Sequence, residues 1–336
     1  MLRVDTGRSF WQNSTGRWAG EQLLRAMKEG GIKAFGPQAL RTLDTLQKDE
    51  WKYFDDQIIE EGKIRLNGIA DLIREGLTLT IPNGMAKTVL EYEATTDMED
   101  AYVSMDAMSD SDNDRIEYEL GSLPLPITHK DFFLHIRQLL ASRERGESLD
   151  ATQARIAARK VTEMGEQMLF QGGRTFQGKT IYGYTTHPNR NTVGFGSNGN
   201  WAQSAKTGDN ILTDTQSLIA LNEGDRFYGP YGMYVDSLAV NKLASDYKAN
   251  GDLTIAERLL KDPRIKFIHM SDKMPANTVV LVQLTSDVVR VVEGMPLQTV
   301  QWDVHGGMRI NFKVMQILVP NIRMDSQDRS GVAHMS

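Results

Sequence analysis

Cysteine is missing from all 336 residues. Disulfides, thiolate metal sites and cysteine nucleophiles are therefore excluded, and stability must come from packing, hydrogen bonds or assembly. No stretch approaches the roughly 18 consecutive apolar residues that a membrane span needs. The opening MLRVDTGRSFWQNSTGRW lacks an apolar core, so no secretory signal is expected and synthesis is expected in the cytosol. Excess positive charge is also absent. With 38 Lys and Arg against 44 Asp and Glu, the formal net charge is -6. That balance argues against a dedicated nucleic-acid binder, although it leaves room for a local basic patch. No repeat of roughly 20–50 residues is visible. What remains is an ordinary globular composition, 40% hydrophobic and 24% charged, in a chain long enough for more than one lobe.

Residues 1–56 are polar and broken by Gly7, Gly16, Gly20, Gly30, Gly31 and Gly36. Two short helices fit, GEQLLRAMKEG and PQALRTLDTLQKDEWKYFDDQII, but the stripe Leu40, Leu43, Leu46 is narrow. Such a segment has little core of its own and is expected to lie along another surface. From Leu77 the pattern alternates, in LTLTIP, KTVLEYEATT and RIEYEL. These strands flank an acidic stretch and predict a long hairpin. A two-stranded hairpin is marginal alone in water and needs a surface to lie on.

HKDFFLHIRQLLASR reads as a helix, with Phe132, Ile136 and Leu139 or Leu140 on one face. SLDATQARIAARKVTEMGEQMLFQGG is the clearest helix. Ser148 or Asp150 can cap it, Ala157, Val161, Met164 and Met168 form its apolar stripe, and Gly172 and Gly173 stop it. Residues 185–209, rich in Gly, Asn, Ser and Thr, read as a long surface loop. Helices follow at TDTQSLIALNEG, at SLAVNKLASDY with Asp236 or Ser237 as cap, and at TIAERLLKD. GPYGMYVD is a turn into a strand, and IKFIHM, TVVLVQLT, VVRVVEG, LQTVQWDV and MRINFKVMQILVP are strands. Helices and strands are segregated rather than alternating, which gives an α+β class.

Three motifs raise chemistry. GRTFQGKT at 173–180 matches the phosphate-loop pattern. A phosphate loop needs a strand before it and a helix N-terminus after it. Here a long helix comes first and presents its C-terminus, the wrong pole for phosphate. A glycine cap followed by a surface loop is expected instead. Asp110, Asp112 and Asp114 occupy the first, third and fifth positions of a calcium loop, but Arg115 stands where the turn needs Gly and Gly121 where it needs a bidentate Glu. A solvated acidic hairpin tip is expected. The histidines at 129, 135, 187, 269, 305 and 334 show no ligand spacing; His129 and His135 fall on different faces of the expected helix. No nucleophile elbow and no defensible catalytic pair appears. No enzymatic activity, cofactor or metal is therefore expected.

Four stretches in order resemble the encapsulin shell proteins and the tailed-phage major capsid proteins of the Hong Kong 97 type. They are the acidic hairpin running into SLPLPITHKDFFL, the helix ERGESLDATQARIAARKVTEMGEQMLFQGG, the turn, strand and helix of YGPYGMYVDSLAVNKL, and the closing strands DVVRVVEGMPLQTVQWDVHGGMRINFKVMQILVPNI. Together they cover roughly 77–322, and their order and spacing carry the resemblance.

The resemblance implies an α+β Hong Kong 97-type capsid fold. Its parts would be an N-terminal arm at 1–56, a connecting helix and strand at 57–79, and an extended loop at 80–122. A peripheral domain would take 123–184 and 289–325, with a spine helix at 149–171. An axial domain at 185–288 and a C-terminal tail at 326–336 complete it. It also implies a non-enzymatic subunit that assembles with itself in pentamers and hexamers, with portal, scaffold or decoration proteins as partners. Such a shell encloses double-stranded DNA without reading sequence, has no membrane, is assembled in the bacterial cytoplasm and ends as the virion capsid. Trp11, Trp18, Lys87, Tyr92, Asp110, Asp112, Asp114, Arg115 and Tyr231 are the expected subunit-interface residues. Some family members join a loop lysine to a neighbour's asparagine. Lys87 with Asn311 or Asn321 stands in no specific motif for this, and no cross-link is expected. The arm-like opening favours the phage branch. An encapsulin shell around a protein cargo is the alternative, and a P-loop NTPase acting through 173–180 the remote one.

Overall fold

The computed structural model describes residues 67–95, 103, 105, 118–145, 152–248, 253–325 and 327–336. The arm expected at 1–56 and the tip of the hairpin lie outside these residues. In chain order the first elements are α1 (Asn67–Arg74), β1 (Thr78–Thr80), β2 (Val89–Thr95), β3 (Tyr118–Pro124), β4 (Thr128–His135), α2 (Ile136–Arg145), α3 (Thr152–Phe170), β5 (Gly172–Phe176) and β6 (Lys179–Tyr182). Then come β7 (Asn191–Val193), α4 (Gly208–Gly224), β8 (Tyr231–Val235), α5 (Ser237–Leu243), α6 (Ile255–Leu259), β9 (Ile265–Met270), β10 (Val279–Gln283), β11 (Val289–Val304), β12 (Arg309–Ile322) and β13 (Val332–Met335). The chain divides into two compact units. Residues 130–157 and 299–314 belong to one, and residues 60–129, 158–298 and 315–336 to the other.

The larger unit is organised around a five-stranded sheet in the order β7-β13-β10-β8-β9. β10 runs antiparallel to both neighbours, with Val279 opposite Val235 on one side and Met335 on the other. Both faces are covered, so the strands read as unbroken apolar runs rather than as alternations. Tyr231, Met233, Val235, Val279 and Leu281 face one core, which Ile211 and Leu218 of α4, Ala239 and Leu243 of α5, and Ile255 and Leu259 of α6 complete. Tyr234, Val280 and Val282 face a second core with Ile69 and Leu72 of α1 and Leu169 and Phe170 of α3. Each such side chain contributes about 1.5–3 kcal/mol on burial. Gly232 is required on that second face, because a Cβ there would meet the Phe267 ring at 2.6 Å.

Local signals set the helix starts of this unit. Thr207 caps α4 by accepting from the Asn210 N–H, Asp236 caps α5 by accepting from the Ala239 N–H, and Thr254 with Glu257 forms a capping box on α6. The 326–336 segment, expected as a tail, instead supplies β13, whose four residues are all buried between β10 and β7. Its alternation is too short to announce a strand, and only pairing with β10 fixes it. The loop expected on the surface at 185–209 is likewise anchored inward. Trp201 is buried and its Nε1–H donates to Asp214 Oδ2 at 2.9 Å.

In the smaller unit the structure overturns one helix. Thr128–His135 is a strand beside β12, and helix begins only at Ile136, whose N–H bonds to Met308 O. Phe132 stacks on Phe312 with ring centroids 4.9 Å apart. That cross-strand aromatic pair and the ladder to β12 outweigh the helical spacing read from the sequence. His129 and His135 therefore share one strand face instead of lying on different helix faces. Phe133, on that same face, is exposed and covered by the Arg309 guanidinium at 3.8 Å, while Lys313 Nζ lies 5.7 Å from the centre of the exposed Trp302 ring.

Candidate functional site

The hairpin of β2 and β3 is a separate two-stranded sheet with Val89 opposite Pro124 and Thr95 opposite Tyr118. Its root is fastened by close backbone contact: a Cβ on Gly84 would stand 2.2 Å from the Gly294 carbonyl oxygen. Leu90 and Tyr92 then pack on a cluster that includes Val292, Ile317 and Val319. Tyr92 also lies across Gly121, the residue opposite it, where a Cβ would come within 2.5 Å of the ring. Further out the hairpin offers apolar surface to solvent. Leu120 is 70% exposed and Val103 is 93% exposed. Lys87, at the end of the short 3-10 turn Gly84–Ala86, is exposed and extended in backbone.

Of the residues expected at subunit interfaces, Lys87 and Tyr92 are thus on or beside the hairpin root. Trp11, Trp18, Asp110, Asp112, Asp114 and Arg115 lie outside the described residues. Tyr231 requires correction: it is wholly buried in its own chain, and its hydroxyl donates to Phe227 O. A side chain with no exposed surface has none to offer a neighbour.

GRTFQGKT is also settled in detail. It forms the β5–β6 hairpin, with Gln177 and Gly178 both at positive φ in the turn. The expectation of a surface loop is corrected to strand–turn–strand, and Lys179 opens β6 instead of preceding a helix. No amide-lined helix N-terminus is present to hold phosphate.

The sequence reading missed a polar cluster in the larger unit. Glu166, on a buried position of α3, accepts the Gly68 N–H at 2.9 Å and the Ile69 N–H at 3.4 Å, both in the first turn of α1. Burial outweighs these bonds and pushes the Glu166 carboxyl up to about 7, with nearby Asp71 adding to the rise. Asp71 accepts from the Tyr234 hydroxyl at 3.4 Å and pairs with His269 Nδ1 at 2.6 Å. Glu166 and Asp71 are each 3% exposed. Two carboxylates and a histidine resemble an acid–base set, but both carboxylates are engaged within the fold, Glu166 by two backbone N–H groups and Asp71 by Tyr234, His269 and Arg74. The cluster holds α1 to α3 and β9. A second buried pair joins Lys206 Nζ to Asp214 Oδ2 at 2.6 Å, and Asp214 Oδ1 accepts the Gly196 N–H at 3.2 Å. Among the described residues no cluster of three or more His, Cys, Asp or Glu is placed to hold a metal.

The fold has clear precedents. A virus-like particle from Pyrococcus furiosus matches with a TM-score of 0.61 at 15% identity, covering 85% of this chain and 98% of that chain. The capsid of Myoviridae phage XM1 matches with a TM-score of 0.59 at 13% identity, covering 78% and 90%. The capsid of a native GTA particle matches with a TM-score of 0.55 at 13% identity, covering 80% and 90%. At such identities the likeness establishes a shared fold, and this chain has the α+β fold of those capsid chains. No curated protein matches it by sequence. A family model described as a family of unknown function, DUF6260, matches residues 39–335, and the chain belongs to that family.

Proposed function

We propose that this chain is a major capsid protein, a non-enzymatic subunit that assembles with itself into a closed icosahedral shell around a phage genome. The observation that carries the reading is coverage. The likeness takes in 98% of the virus-like particle chain and 90% of the phage XM1 chain, so it is the whole subunit that is shared and not one motif. The surface supports it. A hairpin with exposed Leu120 and Val103, and a sheet face with exposed Phe133, Val300 and Trp302, leave apolar and aromatic area unburied, the composition of protein interfaces.

In this reading Trp11, Trp18, Lys87, Tyr92 and the acidic tip residues Asp110, Asp112, Asp114 and Arg115 meet neighbouring subunits in pentamers and hexamers. The parts are an N-terminal arm, an extended loop, a peripheral domain with α3 as its spine, and an axial domain containing the five-stranded sheet. Portal, scaffold or decoration proteins complete the head, double-stranded DNA is packed without sequence recognition, and assembly takes place in the host cytoplasm. A second reading is a compartment of the encapsulin kind around a protein cargo. The likeness to a virus-like particle from Pyrococcus furiosus is as good as that to the phage capsid and is compatible with both readings.

The test is expression of the chain alone, followed by negative-stain microscopy and size-exclusion light scattering. Closed shells support the proposal, with nucleic acid or an empty lumen pointing to the phage head and a co-purifying protein to the cargo compartment. A monodisperse monomer or dimer under all assembly conditions would sink both.

A further inference from the structure

Arg290 of β11 is a partly buried cation. Its Nε is closed to solvent and has no hydrogen-bond partner among the described residues. Burial first, and then the charge of Arg323, pull the Arg290 guanidinium below its ordinary pKa, while the Tyr92 phenol acts the other way. The backbone bond from the Arg323 N–H to Val288 O, 2.8 Å long, brings Arg323 alongside the start of β11. Arg323 itself has a loose pairing only, 3.8 Å to an Asp287 carboxylate that is 89% exposed.

A third donor belongs to the same face. Val292 of β11 and Ile317 and Val319 of β12 share one apolar cluster under Tyr92. By strand alternation Arg290 and Asn321 continue that face. Asn321 is 2% exposed, and its buried Nδ2 has no acceptor among the described residues. Buried donors and buried cations carry a penalty until an acceptor arrives. A guanidinium fork, a carboxamide NH2 and a second guanidinium thus share one face of the β11–β12 pair, with no carboxylate paired to Arg290 among the described residues. Planar bidentate donors of this kind suit one class of ligand, the oxyanion.

We propose that Arg290, Asn321 and Arg323 form a binding site for a single oxyanion group, beside Tyr92 at the root of the β2–β3 hairpin. The group is either a free phosphate or a carboxylate carried by a second copy of this chain. The site lies within one subunit and goes beyond the shell reading, so its existence is tested without assembly and only the source of the group rests on that reading.

The experiment is thermal unfolding of the unassembled full-length chain in increasing inorganic phosphate, with chloride holding ionic strength constant. The wild type is expected to show a saturable rise of about 2–4 °C. R290Q is expected to abolish the rise and N321L to weaken it. N321L keeps both arginines, so the comparison stands even if R290Q folds poorly. No rise in the wild type beyond the chloride control overturns the site, and an undiminished rise in both variants overturns the assignment of residues. Repeating the titration on assembled particles identifies the source. A response that vanishes there assigns the site to a neighbour's carboxylate, and one that persists assigns it to free phosphate.

Discussion

The Glu166 carboxylate and the Gly68 N–H meet at 2.9 Å across 98 residues of sequence, and this bond starts helix α1. The acceptor is buried, and the donors sit at the positive end of a helix. Glu166 has a folded pKa of about 7 against an ordinary 4.5, so the folded state holds a proton that the unfolded state releases. Stability from this group is then full below about 4.5 and is lost as pH rises towards 7. The difference in unfolding free energy between the wild type and E166Q should shrink by roughly 2–3 kcal/mol from pH 5 to pH 8. Parallel slopes in the two proteins would count against the assignment.

Two histidines oppose that trend. His187 and His334 each fall to about 4, first because burial disfavours the imidazolium and then because Arg190 repels it. Arg190 Nε lies 3.3 Å from His334 Nδ1, and the Asn189 N–H lies 3.3 Å from His187 Nδ1. Both rings are neutral acceptors in the folded chain. Their stability contribution is present above the unfolded value near 6.5 and is lost as pH falls towards 4. Proton NMR should show neither ring titrating above pH 5. H187N and H334N, which keep a carboxamide acceptor, should each flatten the acid limb of the stability curve.

Lys206 is wholly buried against Asp214. Removing one partner strands the other charge in low dielectric. K206M should cost about 3–5 kcal/mol in urea unfolding. Trp201 fluorescence is the reporter, since its indole donates to the same carboxylate oxygen. A loss under 1 kcal/mol would mean that Asp214 finds water or protonates without strain.

In the shell reading the hairpin serves assembly more than folding, because among the described residues β2 and β3 pair only with each other. Deleting residues 97–114 should leave a subunit with wild-type secondary structure that assembles poorly. Normal shells from the deletion would refute the interface role of the hairpin tip.

Nucleotide affinity offers a last check. GRTFQGKT is a hairpin with no helix N-terminus, so calorimetry should detect no ATP binding in the wild type, and K179A should change nothing. A binding isotherm lost in K179A would reopen the phosphate-loop reading.

The sequence by itself determined what depends on near neighbours. Thr207, Asp236 and Thr254 cap their helices through atoms three residues away, and the apolar stripe of α3 follows from its 3.6-residue period. The order of strands from β8 to β12 and the α+β class are legible for the same reason. Tertiary structure decided what depends on distant partners. Thr128–His135 has helical spacing but becomes strand, because Phe312 and the β12 ladder lie beside it. Four C-terminal residues become β13 because β10 has an open edge to fill. Tyr231 points into the core and not towards a neighbour, and Glu166 is a helix anchor and not a surface charge. Periodicity fixes which residues share a face, but not what covers that face, and burial, pairing and the protons that follow from them are set only when the covering element arrives.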